Sequence, residues 1–349
     1  MNWNKDDLKL SDGRIVKAQY PQIISASRST DIPAFYADWF FNRLKKGYCA
    51  WTNPFNGVKS YVAFRDTRFI VFWSKNPVPL LDHLDELKDR NIGCYIQYTL
   101  NDYVKEGLEK GVPTLDKRID IFKRLVEKLG NGHVIWRFDP LMLTDEINED
   151  LLLEKISNIA EQLKGYTEKL VFSFADILSY KKVKRNLDDN NVHYLDWQPE
   201  QMVDFARRLS DANKEWGFNL ATCAEKIDLS KYGIEHNKCI DDDLMIKLAW
   251  QDKALMNFLG VEIYQKDLFG VIPKEAIVLS DNLYALKKKN NKDTGQRMFC
   301  GCANSKDVGQ YNTCPHQCEY CYANTTKALA QRNYKMHLLH PDAETITGD

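Results

Sequence analysis

Phe69-Ile-Val-Phe-Trp-Ser-Lys-Asn-Pro77 opens with five apolar residues and ends on four that break the run. Aromatic and β-branched residues in an unbroken row, closed by Ser and Pro, read as a strand buried on both faces. Leu80, Leu81, Leu84 and Leu87 follow at helical spacing. The same unit recurs along the chain. Ile23-Ile-Ser-Ala-Ser27 precedes Thr30-Asp-Ile-Pro33, a helix start with a cap residue and an early proline, and that helix runs to Gly47. Cys94-Tyr-Ile-Gln-Tyr98 precedes a helix over Ile119 to Leu129, and His133-Val-Ile-Trp136 precedes one over Glu149 to Leu163. Leu170-Val-Phe-Ser-Phe174 precedes Pro199 to Trp216, and Leu220-Ala-Thr-Cys223 closes the series.

Six such units predict a parallel sheet covered by helices. Their number and even spacing favour a (β/α) barrel or partial barrel over an open doubly wound sheet. Residues 1–285 are read as this barrel-like domain, with a hairpin around Tyr48–Phe64 turning at Asn53-Pro-Phe-Asn-Gly57. Residues 286–349 are read as a cysteine-rich segment that packs over the barrel mouth within one structural unit. No Gly-x-Gly-x-x-Gly follows any strand, so nothing points to a dinucleotide site of that kind.

Lys and Arg number 48 against 49 Asp and Glu, a balance that argues against coating nucleic acid or an anionic membrane. No apolar stretch approaches the ~20 residues that span a bilayer. The start, Met1-Asn-Trp-Asn-Lys-Asp-Asp, lacks the layout of a signal peptide. A cytoplasmic, reducing location is therefore expected, where clustered cysteines serve as ligands or redox groups rather than disulfides.

Barrels place functional groups where strands end. Those positions hold Arg28 and Asp31, Lys75 and Asn76, Gln97 and Thr99, Arg137 and Asp139, Ser173 and Asp176, and Cys223 and Glu225. Asp31 also suits a plain helix cap, and Arg137 a plain pair with Asp139. As a ring of polar ends on apolar strands they are harder to explain by folding alone. Arg, Lys and Asn are what a site needs to hold a carboxylate or phosphate.

Five of the nine cysteines fall in the last fifty residues, three of them in Cys314-Pro-His-Gln-Cys318-Glu-Tyr-Cys321. Three thiolates on a 4Fe–4S cluster leave one iron open for a ligand. Structural zinc is the plainer reading, with Cys302 or His316 as fourth ligand. Cys223, Cys239, Cys300 and Cys302 make a candidate second four-thiolate site, for iron–sulfur or zinc. The alternative is that the first two pack while the other two support the main run. Cys49 and Cys94, among apolar neighbours, read as core.

The Cys-x3-Cys-x2-Cys run with Tyr320 before its last cysteine resembles the signature of radical S-adenosylmethionine (SAM) enzymes. The resemblance implies that Cys314, Cys318 and Cys321 bind a 4Fe–4S cluster, that SAM chelates its open iron, and that Tyr320 lies near the adenine. It also implies reductive cleavage of SAM to a 5′-deoxyadenosyl radical, an electron donor such as flavodoxin or ferredoxin, and a full or partial (β/α) barrel. In those enzymes the cysteine loop follows the first strand, whereas here it comes near the end, so their other SAM-binding motifs do not transfer.

The whole chain resembles a bacterial family called domain of unknown function 1848, described as carrying such a cluster at its C-terminus. Ser25-Ala-Ser-Arg-Ser-Thr-Asp-Ile-Pro33, Asn53-Pro-Phe-Asn56, Val71 to Pro77, Trp136-Arg-Phe-Asp-Pro140, Cys223-Ala-Glu225, Cys239-Ile-Asp241 and Tyr311 to Asn324 carry that resemblance. Sequence reading thus expects a radical SAM enzyme with Arg28, Asp31, Lys75, Arg137, Asp139 and Glu225 as catalytic candidates. Asn76 and Tyr320 are its cofactor contacts. Two rivals stand beside it: a redox or structural protein capped by iron–sulfur or zinc, and a nucleic-acid-processing enzyme, permitted by eight Trp and seventeen Tyr but unsupported by charge.

Overall fold

The computed structural model describes residues 3, 5–53, 56–266 and 272–348. Its centre is a sheet of eight parallel strands. In chain order these are β1 (Ile23–Ala26), β2 (Phe69–Ser74), β3 (Gly93–Thr99), β4 (Val134–Leu141), β5 (Lys169–Phe174), β6 (Asn219–Thr222), β7 (Glu235–His236) and β8 (Lys306–Asp307). Strands β1 to β7 lie side by side in sequence order, and β8 returns to pair with β1 at the other edge. All six strands read from the sequence are present.

The helices are α1 (Ile32–Phe35), α2 (Ala37–Lys46), α3 (Leu84–Asp89), α4 (Leu115–Leu129), α5 (Glu149–Leu163), α6 (Lys181–Asp189), α7 (Pro199–Asn213), α8 (Asp242–Ala249), α9 (Lys253–Leu259) and α10 (Lys327–Leu339). Asp31 caps α1 through the Ala34 amide, and Gly47, at φ 84°, ends α2 in a left-handed conformation. Sequential strand order with right-handed crossovers sends successive helices to one face of a sheet. Accordingly Ile24, Ile70, Phe72, Ile96, Trp136, Phe138, Leu170 and Phe172 share one core with apolar residues of α2, α3, α4, α5 and α7.

The other face corrects the expected barrel or partial barrel of six units. Ile23, Phe69, Val71, Tyr95, Ile135 and Val171 point the opposite way and form a second core. In a closed barrel such residues would pack on one another. Here they pack with Met245 and Ile246 of α8 and Leu255, Met256 and Leu259 of α9. Among the described residues no pairing joins β7 to β8, and each of these edges is two residues long. The sheet is open. Its repeating strand–helix pattern is the one a barrel would have, so periodicity did not separate the two.

Three small antiparallel or mixed sheets decorate this frame. Tyr48–Thr52 pairs with Lys59–Ala63 as the expected hairpin, extended by Ile15–Gln19 and Lys5–Lys9. Pro54 and Phe55 of its turn, like Met1, Asn2 and Asn4 of the N-terminal stretch, lie outside the described residues. Val261–Gln265 and Ile277–Ser280 flank Leu283–Lys287 in a three-stranded antiparallel sheet, and Tyr194–Leu195 pairs with Leu143–Thr144. No helix among the described residues is long and apolar enough to cross a membrane.

If α9 covers the sheet as described, Leu255→Ala opens a cavity there and costs about 2–5 kcal/mol. Urea unfolding checks this. A loss below about 0.5 kcal/mol would mean that this face is not sealed by α9.

Candidate functional site

Along the second face the strands are apolar where they begin and polar where they end. Ile23 gives way to Ser25, Tyr95 to Gln97, Ile135 to Arg137 and Val171 to Ser173. Side chains two apart on a strand share a face, so each change sets a polar group beside the apolar core. The C-terminal edge is thus a polar shelf, and the two cysteine groups lie against it.

The first group arrives on the segment after β8. His316, between Cys314 and Cys318, docks it: Nε2 lies 2.8 Å from Asp31 Oδ2, and Nδ1 lies 3.0 Å from the Gly111 carbonyl. The Gly111 amide donates back to the His316 carbonyl at 2.9 Å. The approach is close enough that a Cβ on Gly111 would sit 2.4 Å from that oxygen, so only glycine fits. Asp31 is filled by this task. Its carboxylate also accepts from Ser74 Oγ at 2.7 Å, the Lys75 amide at 2.8 Å and the Ala34 amide at 3.0 Å. Asp31 is therefore a positioning group that ties α1, β2 and the cysteine loop together.

Tyr320 enters a buried polar network. Its hydroxyl donates to Glu109 and accepts from Lys75 Nζ at 2.9 Å and Asn101 Nδ2 at 3.0 Å. Lys75 pairs with Glu109 at 2.6 Å, and Arg118, fully buried, reaches the other Glu109 oxygen at 3.4 Å. Burial alone would raise the Glu109 pKa, but Lys75 and then Arg118 outweigh it and hold it down at about 2. Burial likewise opposes the Lys75 charge, and Glu109 followed by the Cys318 thiol raises its pKa regardless.

Burial raises the pKa of all three thiols, Cys314, Cys318 and Cys321. Partial compensation is built in. The His316 amide approaches Cys314, those of Asn324 and Ala323 approach Cys321, and Lys75 acts on Cys318. Among the described residues, the one group of three or more His, Cys, Asp and Glu ligand atoms mutually within 4.8 Å is Asp241, Asp242 and Asp243. The three thiols are thus not all within 4.8 Å of one another, whereas tetrahedral zinc at ~2.3 Å would set them ~3.8 Å apart. Asn76, which follows Lys75 at the end of β2, leaves its buried Oδ1 without a partner.

The second group gathers Cys223 from the end of β6, Cys239 from the loop before α8, and Cys300 and Cys302 from the loop before β8. Cys223 Sγ lies 3.4 Å from Cys239 Sγ, the Cys239 amide donates to Cys302 Sγ at 3.2 Å, and Cys300 is within electrostatic reach of Cys302. Arg137 donates to Cys239 Sγ at 3.2 Å and to Gln97 at 3.1 Å, and also pairs with Asp139. Asp139 accepts in addition from Ser173. The neighbouring Cys223 and Cys302 thiols, ahead of Arg137, hold Cys239 well below the usual thiol range, and Cys302 brings Cys300 down to about 6. Glu225 accepts from the Phe174 amide at 3.0 Å. Burial, with Asp139 adding to it, raises its pKa to about 7.

Arg28 stands between the groups. Tyr322, next to Cys321, donates to its carbonyl at 2.6 Å, and its amide donates to Asp307 at 2.9 Å. Its guanidinium lies 5.7 Å from the centre of the Trp73 ring, within electrostatic reach of Cys302, Cys239 and Cys300. The structure thus brings every candidate strand-end residue to one edge. Around Cys314, Cys318 and Cys321 are Asp31, Lys75 and Tyr320, with Asn76 next to Lys75 in the chain. Around the other four thiols are Arg28, Arg137, Asp139 and Glu225. Cys49 and Cys94 stay in the core.

Sequence reading missed Glu109, Arg118 and Asp307. Glu109 lies in a loop without periodicity, and Arg118 sits in an amphipathic helix where Arg normally faces water. Asp307 accepts from Ser25, Ser29, Arg28 and Gly309. Its strand, two residues long, leaves no pattern in the sequence. The chain packs closely here: a Cβ on Gly309 would stand 1.8 Å from Ser27 Oγ.

Removing one member of a buried ion pair leaves the other uncompensated, so Glu109→Gln is expected to cost about 3 kcal/mol. Because the Glu109 pKa is depressed on folding, this contribution is present above the unfolded value near 4.5. It fades as pH falls toward about 2. Denaturation of wild type and variant at pH 7 and pH 3 checks both points. Equal stability of the two at pH 7 would show that the pair adds nothing.

Comparison with curated proteins and with solved structures returned no match. The family model described as Domain of unknown function (DUF1848) matches residues 23–323, which include the whole parallel sheet and both cysteine groups, and the chain belongs to that family.

Proposed function

We propose that this chain is an iron–sulfur enzyme of the radical SAM type. The observation that carries the proposal is the setting of Cys314, Cys318 and Cys321. The three thiols belong to one short loop, have N–H groups or a cation directed at them, and abut a network of ionised groups at the strand ends. Three ligands leave one iron of a 4Fe–4S cluster open. Bound to such a cluster, SAM supplies a carbon radical able to remove hydrogen from an unreactive C–H bond.

The chain's own residues have the remaining tasks. Cys314, Cys318 and Cys321 would hold the cluster. Asp31, His316 and Gly111 fix the loop that carries them. Lys75 and Asn76 would meet a ligand's polar groups, the first as a cation and the second through an acceptor without a partner. Tyr320 is held by three polar neighbours, which keeps its ring in one orientation. Arg137, Asp139 and Glu225 offer a hydrogen-bonding wall to a substrate, and Glu225, poised near neutrality, can give or take a proton. An external one-electron donor, such as flavodoxin or ferredoxin, is part of this proposal.

Anaerobically reconstituted protein with dithionite and SAM is expected to release 5′-deoxyadenosine, measured by liquid chromatography. Cys318→Ala should abolish the release. Gly111→Ala, which misplaces the loop without touching a ligand, should lower both iron content and release at least severalfold. Loaded protein that leaves SAM intact, with and without candidate substrates, would count against the proposal.

A further inference from the structure

The four remaining clustered thiols form no part of that site. Cys223, Cys239, Cys300 and Cys302 come from three separate loops, yet converge: Cys223 and Cys239 are in sulfur contact, and Cys302 Sγ lies against the Cys239 backbone. Simple packing does not require four thiols from distant segments to meet, and each is a free thiol.

The polar atoms around them face sulfur. The amides of Cys239 and Ile240 both donate to Cys302 Sγ, at 3.2 and 3.3 Å. Asn237 Nδ2 donates to Cys239 Sγ at 3.3 Å, and Arg137 Nη1 does so at 3.2 Å. Four N–H donors are thus spent on two sulfurs, an arrangement that stabilises thiolates and tunes the potential of a cluster. A thiol is a poor acceptor and a thiolate a good one. A second, independent sign is Arg28. Its Nε and Nη2 are buried and have no acceptor, although the side chain lies beside Cys302, Cys239 and Cys300. Buried guanidinium N–H groups without an acceptor are costly unless an anion is to be bound. Four thiolates around a doubly charged centre carry about two negative charges in excess, and the nearby cations are Arg28 and Arg137.

Spacing bears on which centre this is. No three of the four thiols lie mutually within 4.8 Å among the described residues, whereas one tetrahedral zinc would draw all four to within ~3.8 Å of each other.

We infer that Cys223, Cys239, Cys300 and Cys302 ligate a second iron–sulfur cluster, closed by four thiolates and neighboured by the free N–H groups of Arg28. The inference goes beyond the radical SAM proposal and does not depend on it. With every thiolate position filled, this cluster has no open iron and does not bind SAM.

The test uses the full chain with Cys314→Ala, Cys318→Ala and Cys321→Ala together, reconstituted anaerobically with iron and sulfide. Iron, sulfide and zinc are counted per chain, and EPR spectra of the reduced protein are recorded with and without SAM. Retained iron and sulfide, with a spectrum unmoved by SAM, is the expected result. A variant without iron, stoichiometric zinc in its place, or a Cys223–Cys239 disulfide with no metal would each overturn the inference. Should the triple variant fold poorly, Cys239→Ser with Cys302→Ser in the otherwise native chain gives the complementary measurement. It is expected to lose about half the iron of the wild type, and unchanged iron content would overturn the inference. If the triple variant keeps its cluster while the native chain shows no response to SAM, the second cluster stands and the radical SAM proposal falls.

Discussion

One carboxylate holds the functional edge together. Asp31 accepts from the first turn of α1, the end of β2 and His316 of the cysteine loop, linking residues 285 positions apart. An ionised carboxylate has about four lone-pair sites, and these four donors use them. The loop from Cys314 to Cys321 therefore takes its place from the N-terminal part of the sheet. A chain that delivers its cysteines last needs such a dock. In this protein Asp31, Gly111 and His316 provide it.

The strands and long helices were legible because their signals are local. Phe69 to Trp73 is apolar throughout since both of its faces are covered, and α5 begins and ends where its periodicity places it. The open sheet was not legible. A repeated strand–helix unit with crossovers to one face is compatible with closure or with an open edge. The deciding fact, that α8 and α9 fill the second face, is a matter of tertiary packing. Met245, Ile246 and Leu255 read equally well as part of any helix.

The site divides along the same line. Strand-end residues such as Lys75, Arg137 and Glu225 were legible because apolar runs end on them. Glu109 was not, for its importance arises from Lys75, Arg118 and Tyr320 converging on it from other elements. Asp31, legible as a helix cap, proves to be that and more. The cysteines show both cases. Cys314, Cys318 and Cys321 are close in sequence, whereas Cys223 and Cys239 meet Cys302 only when the loop before β8 crosses the sheet edge.

The polar shelf gives the two thiol groups different surroundings. Around Cys318 and Tyr320 the charges are paired and buried, which suits a rigid site. Around Cys239 the donors face sulfur, and Arg28 keeps two N–H groups free. The central claim is that the first group leaves an iron open for SAM. Its most direct test is ENDOR spectroscopy of the anaerobically reduced, reconstituted protein with SAM labelled with ¹⁵N at its amino group and ¹⁷O at its carboxylate. Strong hyperfine coupling from both labels, lost in Cys321→Ala, is the predicted result. A reduced cluster that shows coupling to neither label would contradict the account.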